Sequence, residues 1–358
     1  MKLIVMLGYL VAAVAAQAGT GATAALIEGE YRERMERWGM RLQTAIGDDA
    51  KRAVMAARPD AAEFGRRMWI EIGTSLRQEW TLRYTPWLLE NAPRFAGTEK
   101  VGRMGRTAVE EIRRVTEQMH TKNPQVGRLC LSLTAFPEPE TLALVRKIEQ
   151  ENPDPKVQGQ AAMALALLMK HLGDDPGVMK QRLTHLKSAI IKAADVPVGD
   201  TTVAKLAEEE IYVILNLSKG RTAPDVIGRD SAGKAMSLSS LRGKVVVLLF
   251  WEENMRDAKK TVNLVQKLQT AMAGKPVEVV GVNGDSLETL RDLRGKSLVT
   301  WRSISDPDER IAKQYRVTRK PWVYLIDQRG AIQYVGTPGA FLDLAVEGLV
   351  APPRAAGR

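Results

Sequence analysis

Lys244-Val245-Val246-Val247-Leu248-Leu249-Phe250-Trp251-Glu252-Glu253-Asn254-Met255-Arg256-Asp257-Ala258-Lys259 is the stretch on which the reading of this chain turns. The apolar run 245–250 suits a strand covered on both faces, as in a parallel sheet. A turn follows, and a helix is expected from about 255 to 273. Asn254 is a candidate N-cap, with Asp257 three residues later as a shorter version of the capping-box acid. Downstream, strands are expected at 277–282, 299–301, 322–326 and 332–335, and helices at 286–293, 309–315 and 341–349. Upstream, 226–229 and 235–238 flank Ser231-Ala232-Gly233-Lys234 and read as a hairpin. Strands alternating with helices in this way mark an α/β domain.

The chain before this region has a different texture. From about Leu26 to Leu217 apolar residues recur at helical spacing, punctuated by proline and glycine. The clearest case is 156–172, where Val157, Ala161, Leu165, Leu168 and Leu172 share one face. Residues 140–151 form its partner through the turn Asn152-Pro153-Asp154-Pro155, and further helices are expected near 178–194 and 201–217. No fixed period or repeat signature appears, which argues for irregular helical hairpins rather than a solenoid. The charged stretch 28–41 reads as a solvated helix face, with Glu30 and Arg34 as an i,i+4 pair.

The ends and the composition add limits. Met1-Lys2, an apolar run from Leu3 to Ala15 and Ala16-Gln17-Ala18 follow the order of a signal peptide. That run is shorter than the roughly 20 residues needed to span a bilayer, so the processed chain is not expected to be transmembrane. The organisation that results is a signal peptide at 1–18, a helical domain at 19–217, an α/β domain at 219–350 and a tail at 351–358. An exported protein, periplasmic or secreted, is expected. The 52 basic and 42 acidic residues leave a net charge of +10, but both signs are mixed along the chain, which argues against nucleic acid. Cys130 is the one cysteine, so no internal disulfide can form. Its neighbours Leu129 and Leu131 suggest a buried, inert thiol.

Several separated motifs together resemble redoxins of the TlpA/ResA and AhpC/TSA type. They are Ala223-Pro224-Asp225, the hairpin at 230–234, Leu238-Ser239-Ser240-Leu241-Arg242-Gly243-Lys244, and the run into Trp251. The match continues through Val279-Val280-Gly281-Val282-Asn283, Asp306-Pro307-Asp308-Glu309, Pro321-Trp322-Val323-Tyr324-Leu325-Ile326-Asp327 and Gly330-Ala331-Ile332. The resemblance implies a C-terminal thioredoxin-like α/β domain behind an all-helical one. Active members carry Cys-x-x-Cys after the tryptophan turn, where the helix N-terminus lowers a thiol pKa and the second cysteine resolves the mixed disulfide. Met255 and Ala258 stand at those positions here, so the redox pair is missing.

Trp251, Met255, Ala258 and Pro321 are therefore expected to outline a vestigial redox site. Pro321 matches the family's cis-proline. With Lys320 as a basic flank and Trp322 beyond it, this region is read as a groove for an extended peptide, bound by strand addition. The expected function is a non-catalytic binding or scaffold protein with a protein or peptide partner and no cofactor. The alternative is a redoxin-type oxidoreductase or peroxidase using Cys130. A third reading makes Glu252, Glu253 and Asp257 a metal or acid/base cluster. His120, His171 and His185 lack ligand spacing, and no dinucleotide or phosphate-loop fingerprint is present.

Overall fold

The computed structural model describes residues 21–101 and 105–351. The signal-peptide reading and the tail beyond Ala351 lie outside these residues. No described helix is long and apolar enough to cross a membrane. Contacts divide the chain into two units, residues 21–173 with 180–207 and residues 174–179 with 208–351.

The first unit is helical. Its helices are α1 (Gly21–Thr44), α2 (Asp48–Ala56), α3 (Ala61–Ile72), α4 (Tyr84–Asn91), α5 (Pro93–Thr98), α6 (Ala108–Met119), α7 (Gly127–Ser132), α8 (Pro139–Glu151) and α9 (Pro155–Leu168). Then come α10 (Pro176–Ala193), the two-residue strands β1 (Pro197–Val198) and β2 (Thr201–Thr202), and α11 (Val203–Tyr212), which leads into the second unit. The expected α8–α9 hairpin forms because Asp154 caps α9, its side chain accepting from the Lys156 N–H at 2.8 Å. The apolar stripe of α9 ends sooner than its spacing suggests. The helix tightens to a 3₁₀ turn at Met169–Leu172, and Leu172 is exposed rather than packed. The helix expected from 201 likewise starts two residues later, because Thr201 and Thr202 pair with Val198 and Pro197. Among the paired charges, Glu30 meets both Arg34 and Arg67, at 2.6 Å each.

The second unit is built on a sheet. A hairpin, β3 (Ile227–Arg229) and β4 (Ala235–Ser237), precedes the core strand β5 (Val245–Trp251). The order continues α12 (Ala258–Ala271), β6 (Val277–Asn283), α13 (Leu287–Gly295), β7 (Arg302–Ser305), α14 (Arg310–Gln314), β8 (Trp322–Ile326), β9 (Ile332–Gly336) and α15 (Ala340–Val350). The five long strands lie in the order β7-β6-β5-β8-β9. β5, β6 and β7 are parallel, and β8 is antiparallel to both β5 and β9. Every residue of β5 is buried, as a central strand covered on both faces requires. Val246, Leu248 and Phe250 pack on one side with Tyr315 and Tyr324, while Val247, Leu249 and Trp251 pack on the other with Val265 and Val346.

Two expectations in this unit fail for local reasons. The strand expected at 299–301 is not one: Val299 and Trp301 are buried in the core ahead of the ladder, which begins where Arg302 pairs with Val280. Apolar content there served packing rather than pairing. The helix expected from 255 begins at Ala258, because Asp257 sits in the left-handed region with φ of 65°. Asn254 is therefore not the N-cap, and the Asp257 side chain makes no cap hydrogen bond.

The hairpin is closed by a buried acid. Asp230 Oδ1 accepts from the N–H groups of Ala232 and Lys234 at 3.0 and 2.9 Å, and Oδ2 accepts from Arg302 Nε at 3.0 Å. Burial pushes this carboxyl up, but the Lys234 N–H, Arg302 and the Ala232 N–H outweigh it and hold the group below its ordinary value. Because the folded value is depressed, the stabilisation is present above the unfolded carboxyl pKa of about 3.9 and fades as the pH falls through the folded value. Asp230→Asn is expected to cost about 1.5–3 kcal/mol, the range for hydrogen bonds to charged groups. Urea titrations of both proteins at pH 7 and pH 3 check this, and the gap should narrow at pH 3.

Candidate functional site

Trp251 ends β5, Met255 and Ala258 follow in the turn and at the start of α12, and Pro321 immediately precedes β8, the neighbour of β5. Trp251, the last residue of β5, is 2 % exposed and meets Trp301 edge to face at 5.8 Å. The turn after it is tight: the Met255 N–H donates to Glu252 O, and the Ala258 N–H to Met255 O. Met255 is 9 % exposed and packs in the core cluster that holds Trp251, Val265 and Leu290, with Ala258 against its edge. A thioether and a methyl group thus occupy the two positions at the head of α12. Neither can ionise or exchange with a disulfide. The first turn of α12 carries no acid.

Pro321 immediately precedes β8, and the Lys320–Pro321 peptide bond is cis. The strand that follows is not an edge, since residues 323–326 of β8 pair with β5 on one side and β9 on the other. Strand addition directly onto β8 is therefore closed, and the backbone just ahead of it, at 319–321, is what remains outside the ladder.

Lys320 is not the free basic flank that the sequence suggests. Its Nζ lies 2.8 Å from Glu252 Oε2 and 3.3 Å from Glu309 Oε1, and its side chain is 11 % exposed. The β5–β8 register explains the first contact. Phe250 pairs with Trp322, so Glu252 and Lys320 form the next pair on the same face beyond the end of the ladder. Burial alone would lower the ammonium pKa, but the hydrogen bond and charge of Glu252, then those of Glu309, raise it above the ordinary value. Beside Lys320, the Arg319 guanidinium lies over the Trp322 ring at 4.5 Å.

Of the carboxylates in the turn, that of Glu252 is engaged by Lys320, while the Glu253 N–H donates to Asp285 Oδ2 at 2.7 Å and Asn283 Nδ2 donates to the same oxygen at 3.0 Å. Among the described residues no group of three His, Cys, Asp or Glu side chains is placed to hold a metal ion. Glu309 is the site residue that sequence reasoning missed, and nothing in its local sequence points to Lys320.

Cys130 lies in α7 in the helical unit, wholly buried and unpaired. Burial pushes its thiol up to about 12, far from the thiolate a peroxidase or exchange thiol requires. Two of the histidines are engaged: His120 is buried, with Nε2 2.7 Å from Leu76 O, and His185 Nδ1 lies 3.0 Å from Glu149 Oε1, while His171 is exposed.

Residues 219–335 match the model of the AhpC/TSA family. A thioredoxin-like protein, YneN, from Bacillus subtilis is 30% identical over 129 residues, which cover 34% of this chain and 75% of that protein. The thiol-disulfide oxidoreductase ResA of the same organism is 29% identical over 34% of this chain and 69% of its own length. A chloroplastic peroxiredoxin Q from Oryza sativa subsp. japonica is 27% identical over 33% of this chain, and the match spans 58% of that relative. Among solved structures, the thioredoxin domain of a Bacteroides vulgatus thiol-disulfide oxidoreductase aligns over 38% of this chain and all of its own, at 25% identity and a TM-score of 0.36.

Proposed function

The chain belongs, through residues 219–335, to the AhpC/TSA family of thioredoxin-like proteins, and on that premise we propose that it has kept the fold and given up the thiol chemistry. In this reading it is a non-catalytic binding or scaffold protein. The observation that carries the reading is the pair Met255 and Ala258 at the head of α12, with Met255 packed into the core. The burial of Cys130 supports it, because no other thiol exists in the chain to take up exchange.

The partner is an extended peptide or protein segment lying beside Pro321, against the backbone of 319–321 and next to Trp322. The signal-like order of residues 1–18 supports export, to the periplasm or beyond the cell. Reduction of insulin by dithiothreitol, followed by turbidity, tests the central part. The rate is expected to be the same with and without micromolar protein, and acceleration would overturn the reading.

A further inference from the structure

We propose that β9 offers its outer edge to a second copy of this chain, so that two β9 strands pair antiparallel about a two-fold axis and join the two sheets into one. The pairing is independent of thiol chemistry and of any segment bound beside Pro321.

The two edges of the sheet differ. On the β7 side the β3–β4 hairpin lies across the edge: Asp230 pairs with Ile304, and the Ser231 N–H donates to Ser303 O at 3.0 Å. On the β9 side only the start is covered. The Gly220 N–H donates to Ile332 O at 2.7 Å, the Ile332 N–H to Arg221 O at 2.8 Å, and Thr222 pairs with Ala331. Over residues 334–336 β9 pairs with β8 on one side, and among the described residues no group bonds to the backbone of its other side. Free edges are usually blunted by charge, proline or a covering segment. This one is not, since Gln333-Tyr334-Val335-Gly336-Thr337 holds no charged residue and no proline.

An apolar stripe stands in solvent beside this edge. Phe341 is 69 % exposed and Leu344 66 %, one helical turn apart on α15, and the Phe341 ring centre lies 5.4 Å from that of Tyr334. So short a strand cannot hold two proteins by itself, and the stripe supplies the further contact. A two-fold axis normal to the sheet keeps both α15 helices on the same face and brings their stripes together.

The charges decide which partner fits. Lys219 and Arg221 lie at the covered start of the edge, whereas Asp343 and Glu347 lie on α15, which follows its end. None of the four has an ion-pair partner among the described residues. Burial and the nearby Glu347 hold the Asp343 carboxyl above its ordinary value, as expected of an acid with no cation beside it. A partner strand of uniform charge would suit one end and oppose the other. A second copy running antiparallel suits both, because the basic start of each strand faces the acidic end of the other. The uncharged middle then faces itself with no like charges opposed.

Sedimentation velocity of the full chain from about 1 to about 200 µM tests this, and a monomer–dimer equilibrium is expected, since so small an interface belongs to the weak class. Phe341→Glu sets like charges against each other across the axis and should weaken dimerisation about tenfold or more. Arg221→Glu should weaken it about two- to fivefold, the range of an exposed ion pair, and raised salt should weaken the wild type by a similar factor. Circular dichroism confirms that each variant is folded, and Leu344→Glu, at an equally exposed position, takes the place of Phe341→Glu should that variant not fold. A wild type that stays monomeric throughout, as it would if its own residues 352–358 covered the edge, overturns the proposal. A dimer that either variant leaves unchanged overturns it too, because the contact then lies elsewhere.

Discussion

Native protein treated with a thiol reagent at pH 8 is expected to leave Cys130 unmodified, whereas the same protein in denaturant should be labelled at once. The thiol is wholly buried, and burial pushes its pKa from 9.0 to about 12. At pH 8 that difference alone makes the reactive thiolate on the order of a thousandfold scarcer than in an ordinary thiol. Reagent access adds to the protection, since Leu129, Leu133 and Leu165 belong to the same core and are also fully buried. Mass spectrometry of the labelled fraction over hours gives the rate. Labelling of the native protein at a rate close to that of the denatured one would show an exposed thiol and revive the peroxidase reading that depends on Cys130.

Trp251→Ala is expected to be the most destabilising single substitution in the second unit. The indole is almost fully buried at the end of the central strand, faces Trp301, and shares a cluster with Met255. Truncating a buried tryptophan to alanine costs about 3–5 kcal/mol through lost burial and the cavity left behind. Domains are commonly stable by about 5–15 kcal/mol, so this loss is a large part of the total. Guanidinium unfolding followed by far-UV circular dichroism measures it. A loss below about 1 kcal/mol would mean that the site is loosely packed rather than filled. The same substitution at Trp322, which is only half-buried and carries Arg319 on its face, should cost less.

Much of this was legible in the sequence, for reasons that differ from element to element. The run 245–250 could be placed because a strand covered on both faces needs unbroken apolar residues, and β5 is buried along its whole length. The replacement of the redox pair was implied by the resemblance to redoxins, once Trp251, Met255 and Ala258 are set in that family's register. The head of α12 was misjudged because Asn254 has the right chemistry for a cap, but Asp257 adopts a left-handed conformation that local preference at 254 does not reveal. The run 299–301 was misjudged because buried apolar residues in a loop look the same as those in a short strand.

The charges around Lys320 illustrate a limit of another kind. Lys320 and Glu252 are 68 positions apart, and their pairing can be read only once β5 and β8 are known to be antiparallel neighbours in the register that sets Phe250 against Trp322. With that known, the contact follows by counting. Glu309 has no such rule, because it reaches Lys320 from a loop whose path depends on the tertiary fold. Charge read along a sequence therefore suggested an open basic flank, while charge read in space gives a neutralised one.

Insulin reduction by the wild type beside a Met255→Cys/Ala258→Cys variant tests the central claim most directly, since the two proteins differ only at the positions where the family's thiols stand. The account predicts turbidity at the blank rate with the wild type and a faster rate with the double variant, because the turn that carries the two positions is already in place ahead of α12. Acceleration by the wild type itself would contradict it.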